Sequence, residues 1–93
     1  MVSQVHAVHI LVKTEEEAKK VLEQLKTGAN FGELAMKVSL CPSKRKGGDL
    51  GWFGRGMMVK PFENTAFTME KGETSNPVKT EFGWHIIRVL ETR

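Results

Sequence analysis

Two histidines and one cysteine are the residues of this chain whose types and spacing could do chemistry. His9 and His85 stand in two apolar, β-rich stretches, 5–12 and 84–91, and Cys41 lies in the segment between them. A histidine in an apolar strand is commonly a hydrogen-bonded core residue, and a lone cysteine is commonly a small buried filler. If the two strands are neighbours, however, each imidazole can fix the tautomer of the other. The pattern therefore predicts a paired-histidine network.

The same three residues leave two other kinds of site open. A thiolate at Cys41 with a histidine base would act as in cysteine hydrolases, although the chain has no recognisable nucleophile signature or oxyanion motif. His9, His85 and Cys41 together would be enough ligands for a catalytic zinc centre, although no two of them are closely spaced in sequence. The sequence favours both less than the histidine pair, so we expect neither a metal nor a cofactor.

A second set of candidate residues is apolar and lies in a glycine-rich part of the chain. Methionines beside aromatic rings suit a small pocket built by loops, but they equally suit a core that closes over a sheet. The pattern alone leaves pocket and core open. The set consists of Leu50, Phe53, Met57, Met58, Phe62 and Phe67.

The elements that must position these residues form an α+β pattern. Capping signals at Thr14 and Asn30, each followed three residues later by a glutamate, predict two helices, over 15–27 and from 31 to about 39. A loop with five glycines over 41–56 contains a short strand, and Pro61 begins a brief helix. Pro77 predicts an edge strand over 77–79. With the strands over 5–12 and 84–91, this order predicts an α+β domain.

Size and charge limit the range of functions. The 93 residues suffice for one domain, which we expect to span 1–93. The net charge is only +3, and positive and negative side chains are scattered along the whole chain, so no nucleic-acid partner is expected. The one basic run, Lys44-Arg45-Lys46, is expected to be solvated surface, with a phosphate clamp as the less favoured alternative.

Cysteine usage and hydropathy bear on the compartment. A single cysteine forms no internal disulfide, which fits a reducing cytoplasm. No apolar run reaches the roughly 20 residues that span a bilayer. We expect a cytoplasmic monomer, with an extracytoplasmic location if the chain is a domain of a longer secreted protein.

Six motifs, in order and covering nearly the whole chain, resemble those of the parvulin family of peptidyl-prolyl cis/trans isomerases. Each is weak alone, but their order and spacing are specific. They are His9-Ile10-Leu11-Val12-Lys13, Phe31-Gly32-Glu33-Leu34-Ala35, Ser39-Leu40-Cys41-Pro42-Ser43, Gly47-Gly48-Asp49-Leu50-Gly51-Trp52-Phe53, Gly56-Met57-Met58-Val59-Lys60-Pro61-Phe62 and Thr80-Glu81-Phe82-Gly83-Trp84-His85-Ile86-Ile87.

This resemblance implies a four-stranded, mostly antiparallel sheet surrounded by three to four helices, with the site in a groove over the sheet. It also implies a role for each site residue. Cys41 would lie beside the rotating peptide bond, and Asp49 would order its loop. The histidines His9 and His85, supported by Thr80, would lie beneath the site. The substrate proline would contact Leu50, Met58 and Phe62, with Phe53 at the flank of the pocket.

The implied function is rotation about X-Pro bonds in peptides or unfolded proteins, which assists folding. A non-catalytic chaperone module with the same groove is the alternative. The family's phosphate-dependent branch has a basic loop after the first strand, whereas residues 13–17 here are mainly acidic. Phosphoserine before proline should therefore be repelled, although the basic run at 44–46 could partly compensate. We expect a preference for an apolar or uncharged residue before proline.

Overall fold

Four strands form one sheet in a computed structural model that describes residues 2–93. All three strand pairs are antiparallel, and the spatial order is β2-β1-β4-β3. Three α-helices and one 3-10 helix surround the sheet, which confirms the predicted α+β architecture. The elements are β1 (Gln4–Val12), α1 (Glu15–Lys26), α2 (Phe31–Val38), the 3-10 helix Pro42–Lys46, β2 (Asp49–Gly54), α3 (Lys60–Thr68), β3 (Val78–Thr80) and β4 (Gly83–Thr92).

The register between β1 and β4 brings the two chemically notable histidines together. Leu11 lies opposite His85, and His9 lies opposite Ile87, so the two histidines are diagonal neighbours. Diagonal side chains on one face of an antiparallel pair are within reach of each other when they are long or aromatic. The sheet therefore supplies the predicted pairing.

Side-chain caps start the first two helices where the sequence predicts them. The Thr14 hydroxyl accepts a hydrogen bond from the Glu17 N–H at 3.2 Å, and Asn30 Oδ1 accepts one from the Glu33 N–H at 3.0 Å. Each bond satisfies an N–H that has no partner within the helix. The cap at Thr14 fixes where α1 begins after β1, and the cap at Asn30 fixes where α2 begins.

The two faces of β1 are covered by different elements. Val8, Ile10 and Val12 pack in a cluster with α1 and α2. Val5 and Ala7 pack in a second cluster with β2 and α3. Because both faces are buried, the strand tolerates the near-continuous apolar sequence that led to its prediction as a central strand.

The glycine-rich segment is more ordered than its composition predicts. Residues 42–46 form a 3-10 helix, with Pro42 in its first turn and Gly47 ending it at φ 69°.

The edge strand β3 begins at Val78, after Pro77, because proline has no N–H for a strand ladder. Within residues 2–93, no helix has the length and apolar character needed to cross a bilayer.

Candidate active site

A largely apolar cavity lies where β1, β4, α3 and the 3-10 helix meet. Its volume is about 580 Å³, within the range of sites that bind small molecules or side chains. Its rim is open to solvent, because Leu40, Met57 and Phe82 are 52%, 66% and 63% exposed. We call it the apolar cavity; it is lined by His9, Leu11, Leu40, Cys41, Pro42, Leu50, Met57, Met58, Val59, Phe62, Phe82 and His85.

Phe62 forms the aromatic floor of the apolar cavity. Its ring stands edge-on to His9 and His85, with centroid distances of 5.5 and 5.3 Å and interplanar angles of 81° and 82°. Phe53 does not line the cavity: it is 0% exposed and packs against Phe62 from behind at 5.9 Å. Four of the six apolar candidates therefore line the cavity, namely Leu50, Met57, Met58 and Phe62, whereas Phe53 and Phe67 lie in the core.

The histidine pair is part of a chain of three buried or half-buried hydrogen bonds. His9 Nδ1 lies 3.0 Å from His85 Nδ1, His9 Nε2 lies 3.2 Å from Ser43 Oγ, and His85 Nε2 lies 2.8 Å from Thr80 Oγ1. The Thr80 hydroxyl also accepts from the Phe82 N–H. Each neutral imidazole has one donor and one acceptor nitrogen, so the chain is satisfied with all its protons pointing in either direction.

Burial keeps both imidazoles neutral. The pKa of His9 is lowered to about 4, first by desolvation and second by the proximity of His85. Desolvation also lowers the pKa of His85 to about 4. One protonated ring could still donate from Nδ1 to the other ring, but two protonated rings would place two N–H groups opposite each other at the Nδ1–Nδ1 contact.

Cys41 lines the apolar cavity but is not paired with a histidine base. All four ring nitrogens of His9 and His85 are engaged by each other or by hydroxyl groups. The half-exposed Cys41 instead caps the 3-10 helix through its backbone carbonyl, which accepts from the Lys44 N–H at 3.0 Å. This arrangement does not provide the thiolate–imidazole pair that a cysteine hydrolase needs.

Gly48 lets the chain pass close to β1 beside His9. Its carbonyl accepts from the His9 N–H at 2.9 Å, and its φ is 86°. A Cβ at this position would stand 2.3 Å from the His9 carbonyl oxygen, which is backbone and has little room to move. Glycine is therefore required for the close approach that positions Ser43 near His9.

A buried carboxylate that no sequence pattern points to anchors the loop over residues 55–59, which carries Met57 and Met58. Glu63, 3% exposed, accepts a hydrogen bond from the Gly56 N–H and faces Arg55 Nη1 at 3.4 Å. The Gly56 N–H is the largest cause of a lowered pKa of Glu63. The contact ties α3 to the loop that carries Met58. A buried glutamate in an amphipathic helix gives no sequence signal, because it looks like any solvent-facing glutamate.

If the apolar cavity binds proline, as the parvulin resemblance implies, Glu63→Ala is expected to raise KM several-fold for X-Pro peptides and to change kcat less, because the loop would position Met58 less well. Glu63→Gln keeps a carbonyl acceptor for the Gly56 N–H, so its KM should lie between those of the native chain and Glu63→Ala. Steady-state kinetics of the three proteins measures the effect. An unchanged KM in Glu63→Ala would show that the loop holds its position without this contact.

Asp49 orders the start of β2, as the sequence analysis expects. Its Oδ1 accepts from the Gly51 N–H at 2.8 Å and lies 2.8 Å from His6 Nε2. The Gly51 N–H is the largest cause of a lowered Asp49 pKa. The partner His6 was not expected, because its pairing with Asp49 depends on the irregular register between β1 and β2.

Comparison with known proteins places the chain among longer folding factors and among chains of its own length. The foldase protein PrsA of Geobacillus kaustophilus is 51% identical over 88 residues, which are 94% of this chain and 31% of PrsA. The chain spans about a third of the length of this and other curated relatives that it matches.

Solved structures show the same fold. The solution structure of NmPin, the parvulin of Nitrosopumilus maritimus, has a TM-score of 0.88 and 46% identity, over 98% of this chain and 99% of that one. One of two SurA-like chaperones of Campylobacter jejuni, described as the virulence factor PEB4 and the periplasmic protein Cj1289, has a TM-score of 0.92. It is 43% identical over 100% of this chain and 40% of its own.

A family model covers most of the chain and includes every candidate site residue. The model is that of the rotamase, or PPIC-type peptidyl-prolyl isomerase, domain, and it matches residues 9–91. Together with the match to NmPin over almost its full length, this confirms the resemblance seen in the six motifs. The chain belongs to the PPIC-type peptidyl-prolyl isomerase domains, the parvulins.

Proposed function

We propose that this chain catalyses rotation about X-Pro peptide bonds in polypeptides and thereby assists protein folding. The observation that carries the proposal is the open apolar cavity with Phe62 as its floor, directly over the histidine pair. The activity is assigned to a single domain over residues 1–93, with no cofactor.

The reaction requires no covalent step. Rotation about the imide bond breaks amide resonance against a barrier of roughly 18–20 kcal/mol. In the proposed mode, Leu50, Met58 and Phe62 grip the proline ring while the preceding carbonyl swings. The cavity walls exclude water, and the twisted imide, which has lost charge separation, is less disfavoured there than the planar imide.

The histidine pair acts as positioning residues in this account. The two imidazoles are held in place from two sides, because Phe62 packs nearly at right angles to both rings and the rings bond to each other through Nδ1 with their planes 17° apart. The hydrogen-bond chain from Ser43 to Thr80 connects the 3-10 helix to the β3–β4 turn. It therefore fixes both sides of the cavity relative to the floor.

Replacing Cys41 tests whether the thiol acts as a nucleophile or through polarity beside the swinging carbonyl. Cys41→Ser and Cys41→Asp are expected to keep a measurable fraction of kcat/KM, with a loss of about tenfold, or about 1.4 kcal/mol. An isomerase assay on an Ala-Pro peptide measures this. Complete loss of activity in both variants, with unchanged folding, would instead favour covalent catalysis.

The residue before proline is proposed to be apolar or uncharged. Glu15, Glu16 and Glu17 are exposed in the first turn of α1, where the phosphate-dependent branch has a basic loop. A phosphate that reached this segment would meet negative charge. The cavity walls near Cys41, by contrast, are apolar, including Leu11 and Leu40.

Two-dimensional exchange NMR on a tetrapeptide panel tests activity and preference together. The panel places Ala, Leu, Glu or phosphoserine before proline. We expect accelerated cis/trans exchange with Ala and Leu, and the least acceleration with phosphoserine. Shift changes without accelerated exchange would identify the chain as a non-catalytic chaperone module, and the greatest acceleration with phosphoserine would overturn the proposed preference.

We also propose a compartment and an oligomeric state for the chain. The single cysteine favours a cytoplasmic monomer acting on unfolded proteins, without nucleic-acid partners. The foldases, of which the chain spans about a third, and the Campylobacter jejuni pair of chaperones, one of which is called periplasmic, support the alternative, an extracytoplasmic domain of a longer protein. Fractionation of the source cells with an antibody to this chain separates the two.

A further inference from the structure

A second cavity lies beside the apolar cavity and, unlike it, is lined by charged side chains. Its volume is about 670 Å³, and we call it the basic cavity. The two cavities adjoin each other, because Leu40 and Pro42 line both of them. The basic cavity is lined by Leu40, Pro42, Ser43, Lys44, Arg45, Lys46 and Asp49.

The charges that line the basic cavity are unbalanced. The 3-10 helix presents Lys44, Arg45 and Lys46, all exposed, and within residues 2–93 none of the three forms an ion pair with a carboxylate. The one acidic wall residue, Asp49, lies close enough to Lys46 to feel its charge, but its Oδ1 is occupied by His6 and the Gly51 N–H. Three cations therefore face one partly satisfied carboxylate.

We propose that the basic cavity binds an Asp or Glu side chain of the same polypeptide whose proline occupies the apolar cavity. The inference rests on the proposed function, because the proline fixes where the acidic residue falls. An extended chain advances about 3.3–3.6 Å per residue, so adjoining cavities correspond to an acidic residue within about three positions of the proline. Arg45 can hold a carboxylate with two parallel hydrogen bonds, and the lysines add charge.

The position of the acidic residue separates this site from the residue directly before proline. That residue lies at the apolar walls around Cys41, where an uncharged side chain is proposed. The acidic residue lies farther along the peptide, beyond the shared wall of Leu40 and Pro42. The basic run thereby selects substrates without taking part in the rotation.

Isomerisation of matched peptides by the full chain tests the proposal. The peptides carry Ala-Pro in the middle and Glu, Gln or phosphoserine two or three positions away, on either side. The variant is K44Q/R45Q/K46Q, and the control is K19Q/K20Q/K26Q, which removes the same charge from α1. Peptide affinity, from NMR titration, is recorded beside kcat/KM, and both are measured at 0.02 and 0.5 M salt.

The native chain should favour the best-placed Glu peptide over its Gln counterpart by about three- to tenfold at low salt, because exposed ion pairs are individually weak. High salt and the variant should each abolish the preference, and the control should keep it. The effect should appear in KM and affinity, with kcat unchanged.

Equal rates and affinities for Glu and Gln peptides, at every position and at low salt, would overturn the inference while leaving isomerisation of the Gln peptides intact. A preference for phosphoserine with none for Glu would overturn the carboxylate assignment. Absence of accelerated exchange with every peptide would instead overturn the proposed function, and the titrations would still decide whether the basic cavity recognises acidic side chains.

Discussion

Phe62→Ala combined with Met58→Ala is expected to lower kcat/KM for X-Pro peptides by about 100-fold or more. The change removes the floor and one wall of the apolar cavity. Losing the apolar contacts of two large side chains costs roughly 3 kcal/mol in the stabilisation of the gripped proline, and 1.4 kcal/mol corresponds to a factor of ten. Isomerase assays below the melting temperature of the variant measure the loss.

Stability must be separated from activity in this variant, because Phe62 is also a core residue at 2% exposure. Phe67→Ala is the matched control: Phe67 belongs to the same buried cluster and does not line the apolar cavity. Each phenylalanine truncation should cost about 3–5 kcal/mol of unfolding free energy. Phe67→Ala should nevertheless keep most of its kcat/KM while folded. Equal losses of activity in both variants would mean that Phe62 acts only through the core.

The free energy of unfolding is expected to fall steeply as the pH is lowered from about 6.5 to about 4. Both histidine pKa values are lowered from 6.5 to about 4 in the folded chain. Between these values the unfolded chain binds protons that the folded chain excludes, so acid favours unfolding. Above about pH 6.5 the histidines are neutral in both states, and their effect on the free energy of unfolding no longer changes with pH. Each histidine should lower the free energy of unfolding by about 3 kcal/mol between pH 6.5 and pH 4.

Denaturant titrations between pH 5 and 6.5 measure this dependence where most carboxylates stay ionised. In the native chain the pair should contribute a slope of about 2–3 kcal/mol per pH unit near pH 5, since two protons are involved. His85→Gln replaces one imidazole by a group that does not titrate and should remove about half of that slope. An identical slope in the native chain and in His85→Gln would show that folding does not lower the pKa of His85.

Local patterns were enough to predict the elements that hold the site. The near-continuous apolar run around His9 and the alternation around His85 identified two strands, and the caps at Thr14 and Asn30 placed two helix starts correctly. Such signals act within a few residues, so a single sequence displays them. The pairing of the histidines followed from the expectation that these two strands are neighbours.

Features that depend on long-range register could not be predicted in this way. The His6–Asp49 contact requires the irregular register between β1 and β2, and the Glu63 anchor requires the loop at Gly56 to fold back on α3. Whether the apolar candidates form a pocket or a core was undecided by pattern, and the structure divides them. Phe62 is both floor and core, whereas Phe53 is core alone.

The resemblance to parvulins supplied what the residue types did not. It singled out Leu50, Met58 and Phe62 as contacts of a proline ring, and all three line the apolar cavity. It did not single out Phe82, an exposed aromatic residue at the β3–β4 turn, which also lines the cavity. An exposed phenylalanine next to a glycine in a turn is a signal that sequence reading could have used.

Intermolecular NOEs in a complex with an isotope-labelled Ala-Pro peptide test the central claim most directly. If the apolar cavity grips the proline, its ring protons should show NOEs to the Phe62 ring and to the Met58 methyl group. Protons of the preceding residue should instead lie near Cys41. Proline-ring NOEs confined to residues outside the apolar cavity, with none to Phe62 or Met58, would contradict the account.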